Sequence, residues 1–268
     1  MYDDDGAGPA VLFSHSWFCD GRQWPQAPAV VRAGYRVLNL DNRGHGRSGP
    51  HRERYTVWDM ADDLVAVLDA AGETSAVLVG LSVGGFAALR AALRHPARVR
   101  ALVLADTAAG PQSWPGRAKA RALAPIFLTP ARRVVMPTLL RTLFGPTARR
   151  TQPDLVAQWR ERFARQDPAS MASALDAIVR RDDVRSELSR IAVPTLVIVG
   201  EEDREPGVPA STALAARIPG AQFAVLPMTG HLSALESPRI FESRLLSFLA
   251  GVDAPASRFD SGDPTNPG

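Results

Sequence analysis

Apolar positions follow two rhythms along this chain. Short Val/Leu-rich runs at Ala10 to Ser14, Arg36 to Leu40, Ala76 to Gly80, Ala101 to Ala105, Thr195 to Gly200 and Gln222 to Leu226 are each bounded by turn residues. Their length and apolar character on both faces predict buried strands. Between them the period lengthens to about 3.6 residues. Thr56 to Ala71 carries Val57, Met60, Leu64, Val67 and Leu68 and stops at Gly72, which predicts a helix whose first turn is acidic or neutral. Phe86 to Arg94 is alanine-rich and ends before Pro96. Strands alternating with helices predict an α/β fold, a mostly parallel sheet flanked by helices on both faces.

The alternation lapses over 107–190, where the pattern is helical and broken by Pro111, Pro115, Pro125, Pro130, Pro137, Pro146, Pro153 and Pro168. The expected organisation is therefore a core formed by 1–106 and 191–250, a helical cap at 107–190, and a polar, breaker-rich disordered tail at 251–268. With 268 residues, 46% hydrophobic and 22% charged, the chain has a globular composition, enough for one large domain with an insertion. No run approaches the ~18 to 20 apolar residues of a membrane span. The acidic start Met1-Tyr2-Asp3-Asp4-Asp5 is unlike a signal peptide, and the lone Cys19 can form no internal disulfide. A cytoplasmic location follows as an expectation. The net charge is only +3, Lys119 is the sole lysine among 31 basic residues, and the densest arginine cluster, Arg141 to Arg165, also holds Asp154 and Glu161. Neither nucleic acid nor membrane is an expected partner.

The candidate chemistry centres on Gly80-Leu81-Ser82-Val83-Gly84-Gly85, between a predicted strand and a predicted helix. A serine at such a turn is thrust up from the sheet; the glycines give clearance, and the following amides face a developing oxyanion. Serine needs a base, and His231 in Met228-Thr229-Gly230-His231-Leu232 follows the last apolar run, at a strand's C-terminal edge where open α/β sheets place their sites. Asp203, in Gly200-Glu201-Glu202-Asp203-Arg204, is the favoured acid to orient that imidazole. Glu201, Glu202 and Asp106 are rivals, Asp106 reading better as a capping or cap-anchoring residue. The five histidines are dispersed, and no His-Glu-x-x-His, dinucleotide or P-loop fingerprint occurs. Neither metal nor cofactor is expected.

These residues, with Phe13-Ser14-His15-Ser16-Trp17 and Trp24, Asp41-Asn42-Arg43-Gly44-His45-Gly46-Arg47-Ser48 and Val193-Pro194-Thr195-Leu196, make the chain resemble the α/β-hydrolase superfamily from about Asp5 to Ala250. Within it the resemblance is strongest to 3-oxoadipate enol-lactonase-like and cofactor-free haloperoxidase-like hydrolases. It implies hydrolysis of a small ester or lactone through an acyl-serine intermediate, with Ser82, His231 and Asp203 as the triad and the Trp17 and Val83 amides as the oxyanion hole. The alternatives on the same triad are C–C bond hydrolysis, thioester hydrolysis and perhydrolysis or halogenation. A ligand-binding protein with a slow triad is the alternative from another class. His15-Ser16 departs from the usual His-Gly or Asn-Ser, His15 being expected to brace the loop. His45 belongs to a structural turn, and His51 is expected to be exposed. Trp114, Phe127, Leu128, Met136, Leu140, Phe144, Trp159 and Phe163 supply the cap's core and a pocket. In relatives two antiparallel strands precede the first parallel one. Here Tyr2 to Pro9 looks like the end of the second, so the N-terminal strands read as shortened by roughly 15 to 20 residues. Arg36 to Leu40 would then stand at or near the sheet edge, with unpaired groups that invite a homo-oligomer.

Overall fold

The computed structural model describes residues 1–129 and 132–254. The strands are β1 (Tyr2–Asp5), β2 (Ala10–Ser14), β3 (Arg36–Leu40), β4 (Ala76–Leu81), β5 (Val99–Ala105), β6 (Thr195–Gly200) and β7 (Gln222–Leu226). They form one sheet in the order β1-β3-β2-β4-β5-β6-β7, antiparallel only at β1–β3. The helices are α1 (Ala27–Arg32), α2 (Val57–Ala70), α3 (Val83–Arg94), α4 (Trp114–Phe127), α5 (Arg132–Leu143), α6 (Pro146–Thr151), α7 (Pro153–Arg165), α8 (Pro168–Arg180), α9 (Gly207–Ala215), α10 (Ser233–Glu236) and α11 (Pro238–Asp253). The chain is thus an α/β fold, a mostly parallel sheet with helices on both faces.

Side-chain alternation along the strands divides the core. Val11, Phe13, Val77, Val79 and Val103 face one side with Val30 of α1 and Phe241 and Leu245 of α11. Leu12, Leu38, Leu78, Leu102 and Leu104 face the other with Met60 and Leu64 of α2 and Phe86 and Leu89 of α3. α2 shows why the periodicity was legible: Thr56 caps it, the Thr56 and Asp59 side chains exchange bonds with each other's amides, and Gly72 ends it at φ 71°. The segment between β5 and β6 extends the first of these cores through Met136, Leu140, Phe144, Trp159 and Phe163. Trp114 and Leu128 depart from the expected cap core. Their side chains are 80% and 57% exposed. The Phe127 side chain and the tail beyond residue 254 lie outside the described residues.

Tyr2 to Pro9 contributes the expected antiparallel strand end, β1, and the sequence reading differs from the structure in the pairing of Arg36 to Leu40 and at the other sheet edge. Arg36 to Leu40 lies one strand in from the edge, because β1 pairs with it from Tyr2↔Leu40 to Asp5↔Val37. The backbone groups expected to invite association are therefore bonded within the chain. The edge falls instead to an acidic strand, with Asp4 paired to Arg36 and Asp3 to Arg47, and charged edges resist strand addition. At the other edge β7 is not buried on both faces: Phe223 and Val225 are each 40% exposed. His51 is half-buried rather than exposed, its ring 5.3 Å from that of Tyr55. No helix among the described residues is long and apolar enough to cross a membrane.

Candidate active site

Register brings the candidate residues to one edge of the sheet. Ser14 of β2 lies opposite Gly80 of β4, Leu81 opposite Ala105 of β5, Ala105 opposite Ile198 of β6, and Gly200 opposite Leu226 of β7. The loops bearing Trp17, Ser82, Asp106, Asp203 and His231 therefore leave parallel strands at one level.

Ser82 occupies the turn from β4 into α3 with φ 55° and ψ −113°, a left-handed backbone that a residue with a Cβ adopts only under constraint. The constraint is visible. Ser82 N–H donates to the Ala105 carbonyl (2.9 Å), while its own carbonyl accepts from Phe86 N–H (3.0 Å) and Thr107 Oγ1 (2.8 Å). α3 begins at Val83 rather than at Phe86, and glycine is required there by space. A Cβ on Gly84 would overlap the Ser14 carbonyl, and one on Gly80 would overlap the Gly84 carbonyl. The Val83 amide thus opens a helix packed against the end of β2. Among the described residues the Ser82 hydroxyl makes no hydrogen bond to His231.

The loop after β2 is braced from several sides. His15 Nδ1 lies 2.8 Å from the Ser16 carbonyl and its Nε2 accepts from Asn42 N–H (2.9 Å), which assigns the proton to Nδ1. Asn42 also donates to the His15 carbonyl and accepts from Ser14 Oγ. Gln23 accepts from Ser16 N–H, and Trp17 Nε1 donates to the Met171 carbonyl, tying this loop to α8. His15 and His45 are fully buried, and burial pushes them down to about 4 and about 3. Both are neutral structural groups at neutral pH.

Asp203 and His231 meet. His231 Nδ1 lies 3.2 Å from each Asp203 carboxylate oxygen, with both side chains buried. Burial opposes both charges, but the pairing outweighs it: Asp203 is held below its ordinary value and His231 above. The rivals face elsewhere. Glu201 accepts from Met228 N–H, and Glu202 from Thr147. Asp106 is fully buried, accepts from Gly200 N–H and bonds Ser233 Oγ. Burial and the nearby Asp203 push Asp106 well above its ordinary value, whereas Asp203, paired with His231, is held below its own. Sequence reasoning missed Glu236. It is 5% exposed and accepts from Gly230 and Leu232 on either side of His231. The available signal was an acidic residue directly after the apolar Leu232-Ser233-Ala234-Leu235. A groove of about 890 Å³ beside β1 and α1, lined by Asp3, Trp24, Asn39 and Arg162 among others, contains none of Ser82, Asp203 and His231.

A sheet of this order with a strained serine turn and a buried Asp–His pair at its C-terminal edge defines a class, and the comparisons name it. The family described as the alpha/beta hydrolase fold matches residues 9–238, and the chain belongs to it. Among individual proteins, 3-oxoadipate enol-lactonase 2 of Acinetobacter baylyi is 30% identical over 239 residues, 87% of this chain and 85% of that one. A Variovorax paradoxus protein carrying the provisional name carbamate hydrolase RutD is 32% identical over 92% of this chain and 94% of its own. The structure of a thermophilic esterase from Thermogutta terrifontis superposes with a TM-score of 0.89 at 29% identity, covering 94% of this chain and 93% of that one.

Proposed function

We propose that the protein is a cytoplasmic serine hydrolase that cleaves a small ester or lactone through an acyl-serine intermediate. The observation that carries the reading is the buried His231–Asp203 pair, set at the same sheet edge as the strained Ser82 turn. The enol-lactonase and esterase relatives support the substrate class.

His231 Nε2 takes the Ser82 proton as Oγ attacks the carbonyl carbon, and Asp203 holds the Nδ1–H tautomer and offsets the imidazolium charge. The Trp17 and Val83 amides receive the oxyanion. His231 then returns the proton to the leaving alkoxide, and a water deprotonated by the same imidazole releases the acid and restores Ser82. The Ser82–His231 hydrogen bond is of the kind that commonly closes only in the substrate complex. In this reading 107–190 is a cap over a core of 1–106 and 191–250, and the Trp17–Met171 bond joins cap to oxyanion loop.

A turnover screen across short p-nitrophenyl esters, lactones, thioesters, carbamates, peracid formation and vinylogous diketones, with Ser82→Ala as the blank, tests the proposal. Turnover of esters or lactones that vanishes in Ser82→Ala is expected. A dominant thioester, carbamate, peracid or diketone activity would overturn the substrate class. Undiminished turnover in Ser82→Ala would overturn the nucleophile.

A further inference from the structure

The two glutamates of the acid and histidine loops converge on one short segment of the helical insertion. Glu236, in α10, is buried, and its carboxylate serves three backbone amides: Oε2 accepts from Gly230 N–H (2.9 Å) and Gly145 N–H (3.0 Å), Oε1 from Leu232 N–H (3.1 Å). The first and third bracket His231; the second opens α6. Leu232 N–H is shared with the Leu143 carbonyl at 3.1 Å, and Gln152 Nε2 donates to the Glu236 carbonyl at 2.9 Å, so both ends of α6 are held. From the acid loop, Glu202 accepts from Thr147 N–H (2.9 Å) and Oγ1 (2.5 Å), while its own amide donates to the Thr229 carbonyl (2.7 Å). The chains meet backbone to backbone. A Cβ on Gly230 would lie 2.6 Å from Gly145 Cα, and one on Gly145 would lie 2.9 Å from Gly230 N.

We infer that Glu236 is a positioning residue for His231: its carboxylate fixes the histidine loop through the amides on both sides of the imidazole and ties that loop to the α5–α6 joint of the insertion. The inference rests on reading His231 as the general base. A carboxylate suits the place because it only accepts. Three N–H donors converge there, and a glutamine would turn its own NH₂ toward at least one of them. Glu236 also acts through charge. The ionisable groups facing His231 are Asp203 from the β6–α9 loop, Asp106 from the end of β5 and Glu236 from α10. All three favour the imidazolium, Asp203 most and Glu236 least, while burial pushes the Asp106 and Glu236 carboxyls up from their ordinary values.

Glu236→Gln separates positioning from mere stability, because it is isosteric and changes only charge and one acceptor. Three quantities are read: kcat and KM for a short p-nitrophenyl ester, the pH profile of kcat/KM, and the His231 ring titration by NMR. We expect kcat to fall roughly 10- to 100-fold, the scale of a displaced catalytic group, with KM changed less than about threefold. We also expect the His231 ionisation, and with it the acid limb of kcat/KM, to move to lower pH. A lowered melting temperature with unchanged kcat and unchanged His231 titration would overturn the inference. Should the variant fail to fold, amide exchange in the unaltered protein decides: the Gly145, Gly230 and Leu232 amides are expected to open together, and independent opening of Gly145 would overturn the link. Exchange and NMR need no turnover. Loss of the hydrolase reading, seen as an unaltered protein without Ser82-dependent turnover, is therefore distinguishable from loss of this one.

Discussion

Gly84→Ala tests whether the elbow's geometry is set by space. Gly84 lies in the first turn of α3 with an ordinary helical backbone, so alanine carries no conformational penalty there. In an open helix the change would stabilise by up to about 1 kcal/mol. Here the added Cβ would sit 2.6 Å from the Ser14 carbonyl carbon and 2.8 Å from Ser14 Oγ, and closer still to the carbonyl oxygen. Relief requires β2 and α3 to separate by roughly 1 Å, at an overpacking cost of about 1 to 3 kcal/mol. That lowers the melting temperature by roughly 2 to 4 °C per kcal/mol in a chain of this size. The same shift parts the Trp17 and Val83 amides, and a displacement on that scale costs on the order of 100-fold in kcat. Gly251→Ala is the internal control, since nothing lies within 4 Å of its Cβ in α11. Melting by circular dichroism and turnover of a short p-nitrophenyl ester, run on both variants, should show Gly84→Ala destabilised and slow and Gly251→Ala unchanged or slightly stabilised. A Gly84→Ala protein as stable and as fast as Gly251→Ala would refute the argument.

Two further predictions follow from the buried ionisable groups. His15 and His45 are neutral when folded, at about 4 and about 3, and ordinary at 6.5 when unfolded. Protons therefore bind the unfolded chain preferentially, and the stability these groups contribute is present above pH 6.5 and is lost as pH falls toward 4. The loss at pH 5 relative to pH 7.5 is about 2 kcal/mol for each. His231 works the other way, its raised value giving stability at low pH that is lost as pH rises through it, so the net fall is smaller. Urea midpoints at the two pH values should show lower stability at pH 5, and equal midpoints would contradict the burial argument. In the second, Asp203→Asn should lower kcat by roughly 10² to 10⁴, the range of lost acid–base support. Asp106→Asn, which alters a carboxyl bonded to Gly200 N–H and Ser233 Oγ rather than to His231, should change kcat less than about tenfold. The reverse order would assign the acid to Asp106.

Legibility in the sequence followed the physics of each element. β2, β3 and β6 were readable because two-sided burial demands continuous apolar runs, and α2 because one buried face imposes its period. β1 was legible only through the resemblance, as the end of an antiparallel strand at Tyr2 to Pro9, since Tyr-Asp-Asp-Asp joins the sheet through backbone pairing and ion pairs with Arg36 and Arg47, neither of which leaves an apolar pattern. α3 starts three residues before the alanine-rich run Phe86 to Arg94, because Gly84 and Gly85, whose neighbours Ser14 and Thr107 leave no room for a side chain, belong to its first turn and add nothing to the apolar pattern. Ser82, Asp203 and His231 could be picked out by order and by position at strand ends. The bonds of Glu202 to Thr147 and of Glu236 to Gly145 could not, because their partners lie far off in sequence and include backbone amides, which have no sequence signature.

The proposed hydrolysis depends on Ser82 as a nucleophile activated through His231. The most direct measurement is peptide-mapped mass spectrometry after exposure to a fluorophosphonate, which reacts only with an activated serine and needs no knowledge of the substrate. A single adduct on Ser82 is expected, absent in Ser82→Ala and formed more slowly in Asp203→Asn. A folded protein that takes up no adduct, or takes it up on another residue, would contradict it.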